Sequence, residues 1–174
     1  MIAAKGVGIC LILAACILAG MELERGLKRR WLILRELHEM LLFLEKEMIF
    51  RRTPVPEALE DAAAQCRTEA QALFQKAAGL AGAKRGASFG ALWEEAAAAS
   101  GLEEILAAEE YQETCRMAQA LSNTDTVMQK TMLEKYQSRF EEMSVEMERQ
   151  YREKGALYRK LTAAAGAFLA LLFL

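Results

Sequence analysis

Chemistry needs particular side chains at particular spacings, and this sequence offers few. Its single histidine, His38, stands in "HEMLL", which lacks the second histidine of an HExxH zinc site. A lone histidine works as acid or base only with a nucleophile in reach, and no G-x-S-x-G elbow is present. The four cysteines, Cys10, Cys16, Cys66 and Cys115, form no C-x-x-C pair. They read as small buried hydrophobes rather than zinc ligands or a disulfide framework. Glu94/Glu95, Glu103/Glu104 and Glu109/Glu110 are neighbours in sequence and so point in different directions on a helix. They read as solvated charge, because a di-iron site requires Glu-x-x-His motifs on facing helices. No GxxxxGK[ST] phosphate loop occurs. The expectation is a protein that is not an enzyme, with no metal or cofactor.

Composition points the same way. Lys and Arg number 22 against 24 Asp and Glu, a formal net charge of −2, without the basic excess of a nucleic-acid binder. Alanine, leucine, glutamate, lysine, arginine and methionine dominate, and alternating β-branched runs are absent. The fold class expected is all-α.

Two apolar ends flank the charged middle. "GVGICLILAACILAGM", Gly6 to Met21, with the residues before it, makes a helix long enough to cross about 30 Å of hydrocarbon. "LTAAAGAFLALLFL", Leu161 to Leu174, carries no charge and reaches about 21 Å, short for a span unless Tyr158, Arg159 and Lys160 extend it. Arg25, Lys28, Arg29, Arg30 and Arg35 follow the first segment, and Arg149, Arg152, Lys154, Arg159 and Lys160 precede the second. The positive-inside rule then places the middle in the cytoplasm and both termini outside. A competing reading takes "LAAC", Leu13 to Cys16, as a lipoprotein cleavage box that lipidates Cys16. Against it, "ILAGM" stays apolar after Cys16.

In the middle, Leu27, Leu34, Leu37, Leu41, Leu44 and Met48 recur on one helical face, so the first helix is expected to run to about Arg52. Both prolines of the chain fall in "RRTPVPEAL". Proline pushes the preceding residue, here Thr53 and Val55, toward extended geometry. Pro56 suits a first helical turn, with Glu57 at the positive helix end. A sharp corner is predicted, followed by a helix from Pro56 to Ala78 and a glycine-rich connection over 79–88. Ser88 caps a short helix closed by Ser100 and Gly101. A further helix spans Glu103 to Leu121, and "SNTD" turns the chain with Ser122 and Asp125 at capping-box spacing. Beyond it Met128, Met132, Tyr136, Phe140, Met143, Met147 and Tyr151 make a packing stripe on a helix that continues into the apolar end. The architecture expected is an antiparallel helical bundle (22–160) on a two-span membrane hairpin (1–21 and 161–174). Small residues such as Ala15/Ala19 and Gly166/Ala170 allow close contact of the spans.

The order of these features resembles the stage III sporulation protein AB family across essentially the whole chain. The resemblance rests on "GMELERGLKRR", "LEKEMIFRRTPVPEALEDAA", "ALWEEA", "ALSNTDTVMQK" and "KGALYRKL". The family's T-P-x-P-E-A-L corner is matched by Thr53, Pro54, Pro56, Glu57, Ala58 and Leu59. Its L-G-x-S-D-x-x-x-Q turn is matched at Leu121, Thr124, Asp125 and Gln129, with Ser122 in place of glycine. Met117 and Ala118 stand where the family more often has Phe-Gly. The resemblance implies a membrane component of the channel-like complex between mother cell and forespore, similar to the F-type platform proteins of type II secretion. It implies docking of a secretion-type ATPase, the stage III sporulation protein AA, beside other stage III A membrane proteins, with the bundle facing the mother-cell cytoplasm. Homo-oligomerisation stays open. Arg52, Thr53, Pro54, Pro56, Glu57 and Asp125 are the candidate partner contacts, the corner lying about 45 Å along a straight first helix. The alternative is a membrane-anchored scaffold or lipoprotein without an ATPase partner. A channel subunit has less support, since two short spans with no intramembrane charge beyond Lys5 offer little for an ion path.

Overall fold

The computed structural model describes residues 2–83, 87–122 and 125–172, and in them not the side chains of 2–13, 159, 167 and 169–172. Among the described residues the regular structure is entirely helical. Helix α1 is Ile2–Glu45 and ends in a π-helical turn, Lys46–Phe50. α2 (Val55–Gln65), α3 (Ala70–Ala83) and α4 (Phe89–Ser100) follow. After a 3₁₀ turn at Leu102–Glu104 come α5 (Ala108–Arg116), α6 (Ala118–Leu121) and α7 (Thr126–Leu172). The chain divides into two compact units, 32–145 and 1–31 with 146–174, and α1 and α7 supply residues to both.

In the 32–145 unit the predicted face of α1 is buried at Leu34, Leu37, Leu41, Leu44 and Met48, joined by Ile33. Each fully buried aliphatic side chain contributes about 1.5–3 kcal/mol. Leu59 of α2, Leu73 and Phe74 of α3, Trp93 of α4, and Leu133 and Phe140 of α7 complete this core. Phe74 and Trp93 meet edge to face, 5.9 Å between centroids. The Trp93 Nε1–H donates to the Thr114 carbonyl at 2.8 Å, satisfying the one polar atom of a buried ring. The helix α7 runs antiparallel to α1 here: Gln137 Nε2 donates to the Leu41 carbonyl at 3.3 Å and to Glu45 Oε2 at 2.7 Å. His38 Nδ1 lies 3.0 Å from the Gln137 carbonyl. His38 is thus an interhelix contact. The Met128 end of the predicted stripe is exposed, while Tyr136 and Phe140 are buried.

Three boundaries differ from expectation. The helix predicted from Pro56 to Ala78 is broken: Cys66 takes an extended conformation, and α3 starts afresh at Ala70. The cause is tertiary. The buried carboxylate of Glu36 on α1 accepts the backbone N–H of Arg67 at 2.7 Å, that of Thr68 at 2.9 Å and the Thr68 hydroxyl. These bonds satisfy donors that a continuing helix would have used itself. The predicted glycine-rich connection is helical through Gly79 and Gly82, because α3 packs on both α2 and α4; residues 84–86 of it lie outside the described residues. The helix predicted over Glu103–Leu121 is three short pieces. Glu110, expected to be solvated, is buried and accepts the Ala107 N–H at 2.9 Å, fixing the α5 N-terminus.

The other unit is held by Trp31 stacked on Tyr151, 5.7 Å between centroids and 11° between planes. Gly155 is buried where a Cβ would stand 3.3 Å from Glu24 Cγ. Much of both apolar ends lies outside the described side chains, Lys5, Cys10 and Arg159 included. Among the described residues no helix is long and apolar enough to cross a membrane.

Candidate functional site

The corner after α1 is built on Glu47. Two hydrogen bonds widen the helix end: Arg51 N–H reaches the Lys46 carbonyl at 3.2 Å, and Thr53 N–H reaches that of Glu47 at 3.0 Å. The Glu47 carboxylate, 4% exposed, accepts Arg51 Nη1 at 2.9 Å and the Thr53 hydroxyl at 3.1 Å. Arg52 between them is turned into the left-handed region, φ 58°. For a non-glycine residue this conformation is held only where neighbours over-determine it. Here the bonds of residues 51 and 53 to Lys46 and Glu47 do so. Pro54 is extended (φ −58°, ψ 144°) and serves as the α2 N-cap, so α2 begins at Val55, one residue before the predicted start. Val55, expected to be extended, is helical because Pro54 already supplies the extended residue.

The outcome is a fixed tip. Phe50 is 70% exposed, and Arg51, Arg52, Pro54 and Glu57 are exposed, while Thr53 and Pro56 are half-buried. Asp125 is brought to the same end of this unit. From the Gln137–Leu41 contact, Arg52 lies eleven residues on and Asp125 twelve residues back along antiparallel helices, about 17 and 18 Å respectively. Asp125 Oδ1 accepts the N–H of Val127 at 2.9 Å and of Met128 at 3.5 Å, acting as the α7 N-cap. Gln129 Nε2 donates to the Leu121 carbonyl at 3.4 Å and closes the turn, part of which lies outside the described residues. Val127 is 76% exposed beside this cap. Sequence reasoning missed the exposed Phe50 and Val127. Both stand off the buried faces of their helices, which is the one signal that could have marked them.

Below the tip, α2 and α3 leave an open groove of about 740 Å³. Its floor is small, including Ala63, Ala64, Gly79 and Gly82, and Glu57 and Glu60 are its charged lining residues. A second cleft, about 520 Å³, lies between α5, α6 and α7. Its arginines are internally paired: Arg116 with Glu113 at 3.1 Å, and Arg139 with Glu109 and with Glu142 at 3.7 Å. That cleft is a salt-bridged seam.

Burial makes poor nucleophiles of two thiols, Cys66 and Cys115. Burial, followed by the charge of Glu36 and a hydrogen bond to it, pushes Cys66 up to about 12. Burial also raises the Cys115 thiol, against a lowering hydrogen bond from Tyr111. Among the described residues no group of three His, Cys, Asp or Glu side chains could hold a metal.

A family model described as Stage III sporulation protein AB matches residues 5–174. A solved structure titled "Stage III sporulation protein AB" is similar with a TM-score of 0.64 and 21% identity, over 71% of this chain and 96% of that one. At that identity the likeness speaks to the fold. No curated protein matches.

Proposed function

The chain belongs to the stage III sporulation protein AB family, and from that premise we propose that it is a non-enzymatic platform of a secretion-like complex between mother cell and forespore. On this reading the apolar ends, residues 1–21 and 161–174, are membrane segments, and the helical body between them faces the mother-cell cytoplasm. It docks a cytoplasmic secretion-type ATPase, the stage III sporulation protein AA, and passes ATPase movements to other stage III A membrane proteins.

The observation that carries the docking is the shared end of the 32–145 unit, where Arg52, Thr53, Pro54, Pro56 and Glu57 stand with Asp125, beside exposed Phe50 and Val127. Rigid tips with an exposed aromatic and arginine suit protein contact, because little entropy is lost on binding. Membrane attachment draws support from the charge asymmetry around the apolar ends.

Pull-down of the purified ATPase by the detergent-solubilised full chain tests the docking. Arg52→Ala with Glu57→Ala is expected to weaken capture about tenfold. Full capture by that folded variant would exclude the tip, and no capture by the wild type would exclude the docking. Topology is read separately, by protease protection around the exposed Ala87 and Ser88 in sealed inside-out and right-side-out vesicles.

A further inference from the structure

The tip and the groove are complementary to one another. The tip is apolar and cationic: Phe50 is largely exposed, and among the described residues Arg52 has no ion-pair partner. The groove between α2 and α3 is small-floored and anionic, with Glu57 and Glu60 exposed along it and no cation among its lining residues. Nothing would meet a Cβ added at Gly79 or Gly82, so the floor has open space above it. The tip cannot fold into its own groove, because Arg51 and Thr53 are both tied to Glu47. Yet the groove opens at Pro56 and Glu57, only a few residues from that tip.

We propose that two copies of this chain pair around a two-fold axis, the Phe50–Arg52 tip of each lying in the α2–α3 groove of the other. Because tip and groove are adjacent on one unit, a single rotation satisfies both contacts at once and the assembly closes as a dimer. Phe50 covers the alanine and glycine floor, and Arg52 meets Glu57 and Glu60 of the other copy, a charge match that also rejects misaligned pairings. Arg52 and Glu57 also stand in the proposed ATPase surface, so the paired and the docked chain are alternative states.

The test uses the full chain in detergent micelles, without ATPase, followed by sedimentation velocity across a range of loading concentrations. The wild type is expected to form a reversible dimer. Arg52→Glu places an acidic tip against an acidic groove, and Glu57→Lys with Glu60→Lys places a basic tip against a basic groove. Each is expected to weaken dimerisation at least about tenfold. Mixed together, the two variants restore both contacts and should dimerise as the wild type does. That rescue separates lost pairing from lost folding, as does Phe50→Asp, which should also dissociate the dimer while leaving the circular dichroism spectrum unchanged. A wild type that stays monomeric, charge variants that dimerise unaltered, a mixture without rescue, or a ladder of larger species would each overturn the inference.

Discussion

Glu36 of α1 and Thr68 of the α2–α3 corner are joined twice, through the Thr68 backbone N–H at 2.9 Å and through its hydroxyl. The same carboxylate takes the Arg67 N–H. Thr68 Oγ1 in turn accepts the Ala70 N–H at 3.2 Å and starts α3. One buried acid on the first helix therefore decides where the second helical segment stops and the third begins.

Removing that acceptor has a large effect. Glu36→Ala leaves two backbone N–H groups and a hydroxyl without their partner, and each unmet buried donor costs about 1–3 kcal/mol. Water entering the vacated space offsets part of this, so a loss of about 3 kcal/mol is expected by chemical denaturation. Glu36→Gln, which keeps one acceptor oxygen, should lose less. Equal losses for the two would contradict this role.

Cys66, beside Glu36, makes stability depend on alkaline pH. Its thiol is pushed from 9.0 up to about 12, so above pH 9 the unfolded chain releases a proton that the folded chain retains. The unfolded state binds fewer protons in that window, and stability falls as pH rises. The contribution is intact below pH 9.0 and is lost progressively toward about 12. The denaturation midpoint of the wild type should therefore fall more between about pH 8 and about pH 10.5 than that of Cys66→Ala; parallel pH dependence would refute it.

Trp93 commits its indole N–H to the Thr114 carbonyl inside the core. Trp93→Phe keeps most of the apolar area but strands that acceptor, at an expected cost of about 1–3 kcal/mol. Trp93→Ala adds a cavity and should cost about 3–5 kcal/mol. Thermal melting of both variants gives the comparison, and an equal cost would mean that packing contributes nothing beyond the hydrogen bond.

Gly101 closes α4 with φ 79°. Gly101→Ala meets no neighbour, so its cost is conformational alone, about 1 kcal/mol. A neutral result would show that this turn relaxes to another backbone.

Asp125 caps α7 through two backbone N–H groups. Asp125→Ala should cost about 1 kcal/mol, and Asp125→Asn much less, because asparagine caps nearly as well. If ATPase capture falls for both variants while melting changes only for alanine, the side chain contacts the partner as well as the cap.

The local rules were legible in the residues themselves. Leucine spacing marked the buried face of α1, two prolines marked the corner, Ser88 and Gly101 marked both ends of α4, and the missing phosphate and zinc motifs argued against those chemistries. Each depends on neighbours within a few positions, where propensity and capping act. The tertiary structure alone decided the break at Cys66–Glu69, the burial of Glu36, Glu47 and Glu110, and the return of Asp125 to the end of the unit that carries Arg52. A helix can be cut by a carboxylate some thirty residues away because that acceptor satisfies the donors freed by the cut. No periodicity in the cut segment records where such an acceptor will stand.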